Sequence, residues 1–116
     1  MRLEQVNSLL QTELANLINR DLPAENFLVT ITYVETDPSL KSARIGISVL
    51  PEKFAGTALE MLSSHSSMFS KSLLKKTRLR QIPRFHWRLD TTEQKASEIE
   101  ELINLIKERD EKESKN

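Results

Sequence analysis

Cysteine is absent from the 116-residue chain, which excludes a disulfide framework and any thiolate metal site. Histidine occurs only at His65 and His86, too few for most zinc arrangements. The two glycines, Gly46 and Gly56, stand alone, so no glycine-rich loop can cradle a nucleotide phosphate. No serine sits in the tight turn that presents a hydrolase nucleophile. No apolar run approaches membrane-spanning length, and the opening Met1-Arg2-Leu3-Glu4 lacks the unbroken apolar stretch of a secretory leader. These absences set the expectation of a cytoplasmic, non-catalytic protein with no membrane contact, no metal and no cofactor. With 38% hydrophobic and 29% charged residues, the chain has enough apolar material for one modest core, so whole-chain disorder is not expected.

A local absence says more than the global ones. The formal net charge is zero, yet no aspartate or glutamate occurs between Met61 and Leu89. That stretch carries Lys71, Lys75, Lys76, Arg78, Arg80, Arg84 and Arg88, while acids gather from Glu93 onward. Charge segregation within a chain is a better guide to partners than its sum.

Leu3, Val6, Leu10, Leu14 and Leu17, widened by Leu9 and Ile18, recur at helical spacing and predict an amphipathic helix over about Arg2 to Arg20, ended by Pro23. From Phe27 the period becomes two. Phe27, Val29, Ile31 and Tyr33 fall on one face of a strand, and Leu28, Thr30, Thr32 and Val34 on the other. Thr36-Asp37-Pro38-Ser39 has turn chemistry. A second strand follows, with Ala43, Ile45, Ile47 and Val49 inward and Arg44, Gly46 and Ser48 outward, so the pair reads as an antiparallel hairpin. After Pro51 a second helix is predicted from about Glu52 to His65, with Phe54, Ala58, Leu59, Met61 and Leu62 as its apolar residues.

Ser63-Ser64-His65-Ser66-Ser67 interrupts that pattern. Serines sit better at helix ends than in helix middles, so a kink is expected here, with a third helix from about Met68 to Arg78. Arg84 to Asp90 alternates as a third strand, with Phe85, Trp87 and Leu89 inward. Thr92 is the expected cap of a last helix from Glu93 to about Arg109, whose buried stripe is Ile99, Leu102, Ile103 and Ile106. The predicted class is α+β: a single domain over residues 1–109, and a charged, disordered tail over residues 110–116.

On the third helix Lys71, Lys75 and Arg78 stand at i, i+4 and i+7 and share one face, with Phe69 and Leu73 opposite. Arg80 continues the stripe into the loop, and Arg84 and Arg88 extend it from the outward face of the third strand. Clustered cations without intervening acids form an electrostatic footprint for phosphates. The plainer reading is a solvated basic face, but such faces normally interleave glutamate and this one does not. Trp87 and Tyr33 could in principle stack on bases, but their alternation places both on core-facing sides. His65 reads as a helix-end residue; His86 is outward-facing between two arginines, where it either touches a phosphate or is simply exposed.

Two sets of residues resemble the bacterial ribosome-binding factor A family. One is Leu28-Val29-Thr30-Ile31-Thr32-Tyr33-Val34-Glu35 with Asp37-Pro38-Ser39-Leu40-Lys41-Ser42-Ala43-Arg44-Ile45 and Ile47-Ser48-Val49-Leu50. The other is Lys75-Lys76-Thr77-Arg78-Leu79-Arg80-Gln81-Ile82-Pro83-Arg84-Phe85-His86-Trp87-Arg88-Leu89-Asp90. The resemblance spans about Arg2 to Ile106 and implies a type II KH fold, α-β-β-α-α-β, with helices on one face of a three-stranded sheet. It also implies an assembly factor that binds the immature 30S ribosomal subunit and its 16S ribosomal RNA, assists late processing, and matters in the cold; the chain is expected to act as a monomer. The basic stripe, the strand's outward cations and the serine kink give the expected contact set: Ser66, Ser67, Lys71, Lys75, Lys76, Arg78, Arg80, Arg84 and Arg88. The chain departs from the family at His65-Ser66-Ser67, where relatives mark the kink with Ala-x-Gly, and at Leu22-Pro23-Ala24-Glu25, where they carry Asp-Pro-Arg. Two alternatives come from other classes: a protein-interaction module whose basic face meets an acidic partner, and a helix-turn-helix-like DNA binder using residues 63–80.

Overall fold

The computed structural model describes residues 2–22 and 24–114. Its elements are α1 (Leu3–Asp21), β1 (Leu28–Thr36), β2 (Ser42–Leu50), a 3-10 turn (Glu52–Phe54) leading into α2 (Ala55–Ser64), α3 (Ser66–Lys76), β3 (Arg84–Leu89) and α4 (Thr92–Ser114). This is the α+β, type II KH-like order expected above, with a C-terminal helix added. Pro23, the expected stop of α1, lies outside the described residues; the helix closes at Asp21, with the Leu22 N–H on the Ile18 carbonyl at 3.0 Å.

The sheet order is β1-β2-β3. β1 and β2 pair antiparallel, whereas β3 pairs with β2 in parallel, because the chain crosses over through α2 and α3 before returning. One face of the sheet is covered by helices. Leu10, Leu14 and Leu17 of α1, Ile45 and Ile47 of β2, Leu62 of α2, and Phe69 and Leu73 of α3 are all fully buried there. Each such side chain contributes about 1.5–3 kcal/mol of transfer free energy. Burying Phe69 and Leu73 fixes the rotation of α3, so Lys71 and Lys75 are turned to solvent.

Strict alternation fails in β1. Ile31 pairs with Ile47, but Tyr33 pairs with Gly46, so Thr32 is an extra residue in the ladder. A bulge reverses which side chains face inward beyond it. Val34 and Thr36 are therefore buried, and Tyr33, expected beside Ile31 in the core, lies on the open face of the sheet. Its ring covers Gly46, where an added Cβ would come within 2.1 Å of Tyr33 Cε1. Phe27 precedes the strand and stacks on Phe54 with ring centroids 5.4 Å apart.

The third strand also departs from its expected burial. Phe85 is buried and Trp87 half-buried, but Leu89 is exposed, being the last residue of an edge strand. At the start of α4, Asp90 does the capping expected of Thr92: its Oδ1 accepts from the Thr92 N–H at 3.0 Å and the Thr92 hydroxyl at 2.6 Å.

The largest difference is in α4 itself. It runs to Ser114, through residues expected to fray, because residues 91–116 contain neither glycine nor proline and are rich in strong helix formers. Its expected buried stripe is not buried: Ile99, Leu102, Ile103 and Ile106 are 44–59% exposed. The helix projects from the domain, and the molecule measures 69 × 35 × 17 Å with a radius of gyration of 19.1 Å. A compact chain of this length has a radius of gyration of about 13 Å. Residues 115 and 116 lie outside the described residues.

Candidate nucleic-acid interface

The junction of α2 and α3 is a kink at His65, with φ −98° and ψ 3°. Serine hydroxyls bonded back to the preceding turn bend helices, and the Ser64 and Ser66 hydroxyls donate to the carbonyls of Met61 and Leu62 at 2.9 and 3.1 Å. His65 Nδ1 lies 2.7 Å from the Met61 carbonyl oxygen. A carbonyl only accepts, so Nδ1 carries the proton, and His65 is the helix-end residue its position predicts. Ser66 has a second role. Its hydroxyl accepts the Trp87 indole N–H at 2.9 Å, which ties the kink to β3. The same indole meets Phe69 and Phe85 edge to face, with centroids 6.1 and 5.9 Å away.

Between this kink and β3 runs an open groove of about 990 Å³. Ser63, Ser66, Ser67 and Ser70 form its helical wall, and Lys71 stands at the end of that wall. Arg84, His86 and Arg88 line the strand side, with Phe85 and Trp87 between them, and Glu60 contributes one carboxylate. Hydroxyls and cations around an open trough suit a sugar–phosphate backbone, which offers many acceptors and one negative charge per residue. The N-terminus of α3 opens at the same kink and has no acid in its first turn; its dipole favours anions there.

The structure gathers Ser66, Ser67, Lys71, Arg84 and Arg88 in the groove and leaves the other expected contacts outside it. Lys75 and Lys76 occupy the last turn of α3, exposed and beyond the trough. Arg78 is not on the helix. Thr77 ends α3 in an extended conformation, its hydroxyl donating to the Leu73 carbonyl at 2.7 Å while accepting the Leu79 N–H at 3.3 Å. The stripe of Lys71, Lys75 and Arg78 is therefore broken after Lys75, and Arg78 and Arg80 sit in the loop before β3. Lys76 has an acidic neighbour. The hydrogen bond from Arg20 holds the Asp21 carboxyl below the usual aspartate range, and the charge of Lys76 adds to that effect.

Sequence reasoning missed Ser63 and Ser70, and left open whether His86 touches a phosphate or is simply exposed. Ser63, Ser66, Ser67 and Ser70 recur at three- and four-residue spacing, and four serines on one helical face, where propensity disfavours them, were the available signal. Among the described residues no group of three potential metal ligands occurs, and no helix is long and apolar enough to cross a membrane.

Comparison with known proteins places this chain in a family. A family model described as ribosome-binding factor A matches residues 2–103. The protein of that name from Chlorobaculum tepidum is 34% identical over 110 residues, covering 92% of each chain. That from Akkermansia muciniphila is 29% identical over 109 residues, covering 94% of this chain and 85% of its own. Among solved structures, ribosome-binding factor A from Thermus thermophilus superposes with a TM-score of 0.67 at 20% identity, covering 76% of this chain and 94% of that one. A Thermus thermophilus homology model, fitted into a cryo-electron microscopy map of a complex with the 30S subunit, superposes at 0.62 with 21% identity, covering 73% and 91%. At such identities the structural matches speak for the fold, while the family model and the sequence relatives carry the assignment: the chain belongs to the ribosome-binding factor A family.

Proposed function

We propose that this protein binds the immature 30S ribosomal subunit through its 16S ribosomal RNA, acting in the cytoplasm as a non-catalytic assembly factor during late maturation and supporting growth in the cold. The observation that carries this reading is the groove between the α2–α3 kink and β3, where a serine wall faces Arg84, His86 and Arg88. Nothing in it is arranged to read base edges, so docking rests on phosphates and shape. Family membership supports the subunit as the particle, and the Thermus thermophilus relative is described in complex with the 30S subunit. Lys75, Lys76, Arg78 and Arg80 form an outer cationic rim that steers approach.

Charge reversal at Lys71 and Arg88 is expected to abolish co-sedimentation with immature small subunits and binding to purified 16S ribosomal RNA, with the melting temperature unchanged. Reversal at Arg78 and Arg80 is expected to weaken both by a smaller factor. Undiminished co-sedimentation of the Lys71 and Arg88 variant would overturn the site. Preference for duplex DNA over ribosomal RNA in a mobility shift would overturn the partner, and growth of a strain carrying the groove variant at low temperature tests the cold role.

A further inference from the structure

The bulge at Thr32 turns Tyr33 out of the core and onto the uncovered face of the sheet. On that face, register partners form rows across all three strands. One row is Tyr33, Gly46 and Arg88, and the next is Glu35, Arg44 and His86. Gly46 leaves the centre of the first row empty, and the Tyr33 ring fills it. Three ring carbons lie within 2.6 Å of where a Cβ would stand. Backbone thus supports the inner side of the ring, while Tyr33 remains half-buried with its outer side toward solvent.

Covering a glycine would be reason enough for an aromatic here, but the surroundings add a second observation. Arg44, His86 and Arg88, all exposed, line a shallow cavity of about 360 Å³ beside the ring. His86 and Arg88 also line the groove at the α2–α3 kink, so the two surfaces meet across the edge strand β3. Two acids share the cavity, Glu35 and Asp37. Glu35 pairs with Arg44 at 2.9 Å, with both side chains more than half exposed, and such a pair opens at little cost. Asp37 is engaged within its own turn, accepting from the Ser39 N–H at 3.3 Å.

We infer that Tyr33 is a base-stacking platform on a second RNA surface continuous with the groove. Single-stranded RNA leaves the groove, crosses β3 beside His86 and Arg88, and lays an unpaired base on the Tyr33 ring. Arg44 and Arg88 meet the flanking phosphates. Every base has a π-face, so the platform takes any base, whereas a duplex keeps its bases stacked on one another and cannot use it. The inference rests on the groove being an RNA site, as proposed above.

The full-length chain and a short single-stranded oligoadenylate test this. Tyr33→Leu is expected to weaken binding about tenfold, the loss of one base stack, and Tyr33→Phe to bind as the wild type does. All three are expected to bind an RNA duplex equally. An abasic oligonucleotide keeps the phosphates and lacks the bases; removing the bases is expected to cost the wild type more affinity than it costs Tyr33→Leu. Tyr33 is the single tyrosine, so its ring protons, isotopically labelled, are expected to move upfield when a base stacks on them. Glu35→Gln releases Arg44 and is expected to tighten binding. Equal oligonucleotide affinity in the wild type and Tyr33→Leu, with Lys71→Glu weakened, overturns the platform and leaves the groove in place. Absence of RNA binding by the wild type overturns both. Weaker co-sedimentation of Tyr33→Leu with small subunits, at unchanged oligonucleotide affinity, assigns the face to a ribosomal protein and overturns the platform as well.

Discussion

A methyl group added at Gly46 and one added at Gly56 meet different surroundings. At Gly46 it would lie 2.1 Å from Tyr33 Cε1; at Gly56 there is nothing within 4 Å. Gly46→Ala is therefore expected to destabilise the fold by about 1–3 kcal/mol, the usual cost of overpacking. Gly56→Ala removes a flexible residue from α2 and is expected to stabilise by about 0.5–1 kcal/mol. Chemical denaturation of both variants checks the opposite signs. Adding Tyr33→Ala to Gly46→Ala should recover part of the loss, because the clash is with that ring and contacting residues do not act additively. The inward alternation of β2 was readable from its own residues. The contact between Tyr33 and Gly46 was not, because one additional residue at Thr32 reverses the face of everything after it, and composition carries no mark of a bulge.

One hydroxyl at the α2–α3 junction has two partners. Ser66 donates to the Leu62 carbonyl and accepts the Trp87 indole N–H. Ser66→Ala and Trp87→Phe each remove the link to β3, and each is expected to cost about 1 kcal/mol, with the double variant costing less than the sum because both delete the same bond. Trp87 is the single tryptophan, so its fluorescence reports both on this link and on occupancy of the groove it lines. At the next junction, the Asp90 carboxyl is held below the usual aspartate range, chiefly by the Thr92 hydroxyl, with the Thr32 hydroxyl and the Thr92 N–H adding to it. The folded value is the lower one, so the stabilisation is present above the ordinary aspartate value of 3.8 and is lost as pH falls through the folded value. Asp90→Asn is expected to be less stable than the wild type at neutral pH and to converge on it in acid, as thermal melts across that range will show. The kink was legible because clustered serines disfavour a helix middle. The boundary at Thr77 was not, since a threonine that ends a helix by bonding back one turn looks, in sequence, like one that continues it. The apolar period of α4 was read as a core stripe, yet periodicity specifies only that a face is apolar and leaves open what covers it.

At the scale of the whole molecule, a net charge of zero describes neither end of a particle 69 Å long. The cationic groove belongs to the domain, while α4 carries Glu98, Glu100 and Glu101 into solvent. Screening decides how far those acids matter. At physiological salt the Debye length is about 8 Å, and it reaches about 30 Å only near 0.01 M. If RNA occupies the groove as proposed, the α4 carboxylates are expected to act on it at low ionic strength and to fall silent at high. Titrations of 16S ribosomal RNA over a salt series are expected to give a linear loss of log affinity, with a slope that shrinks by about 0.7–0.9 for each of Lys71, Arg84 and Arg88 replaced by alanine. Replacing Glu98, Glu100 and Glu101 by glutamine should raise affinity only at the low-salt end, bending that line without changing its slope near physiological salt. An equal gain at every salt concentration would mean that α4 itself touches the RNA, so that the contact extends beyond the groove.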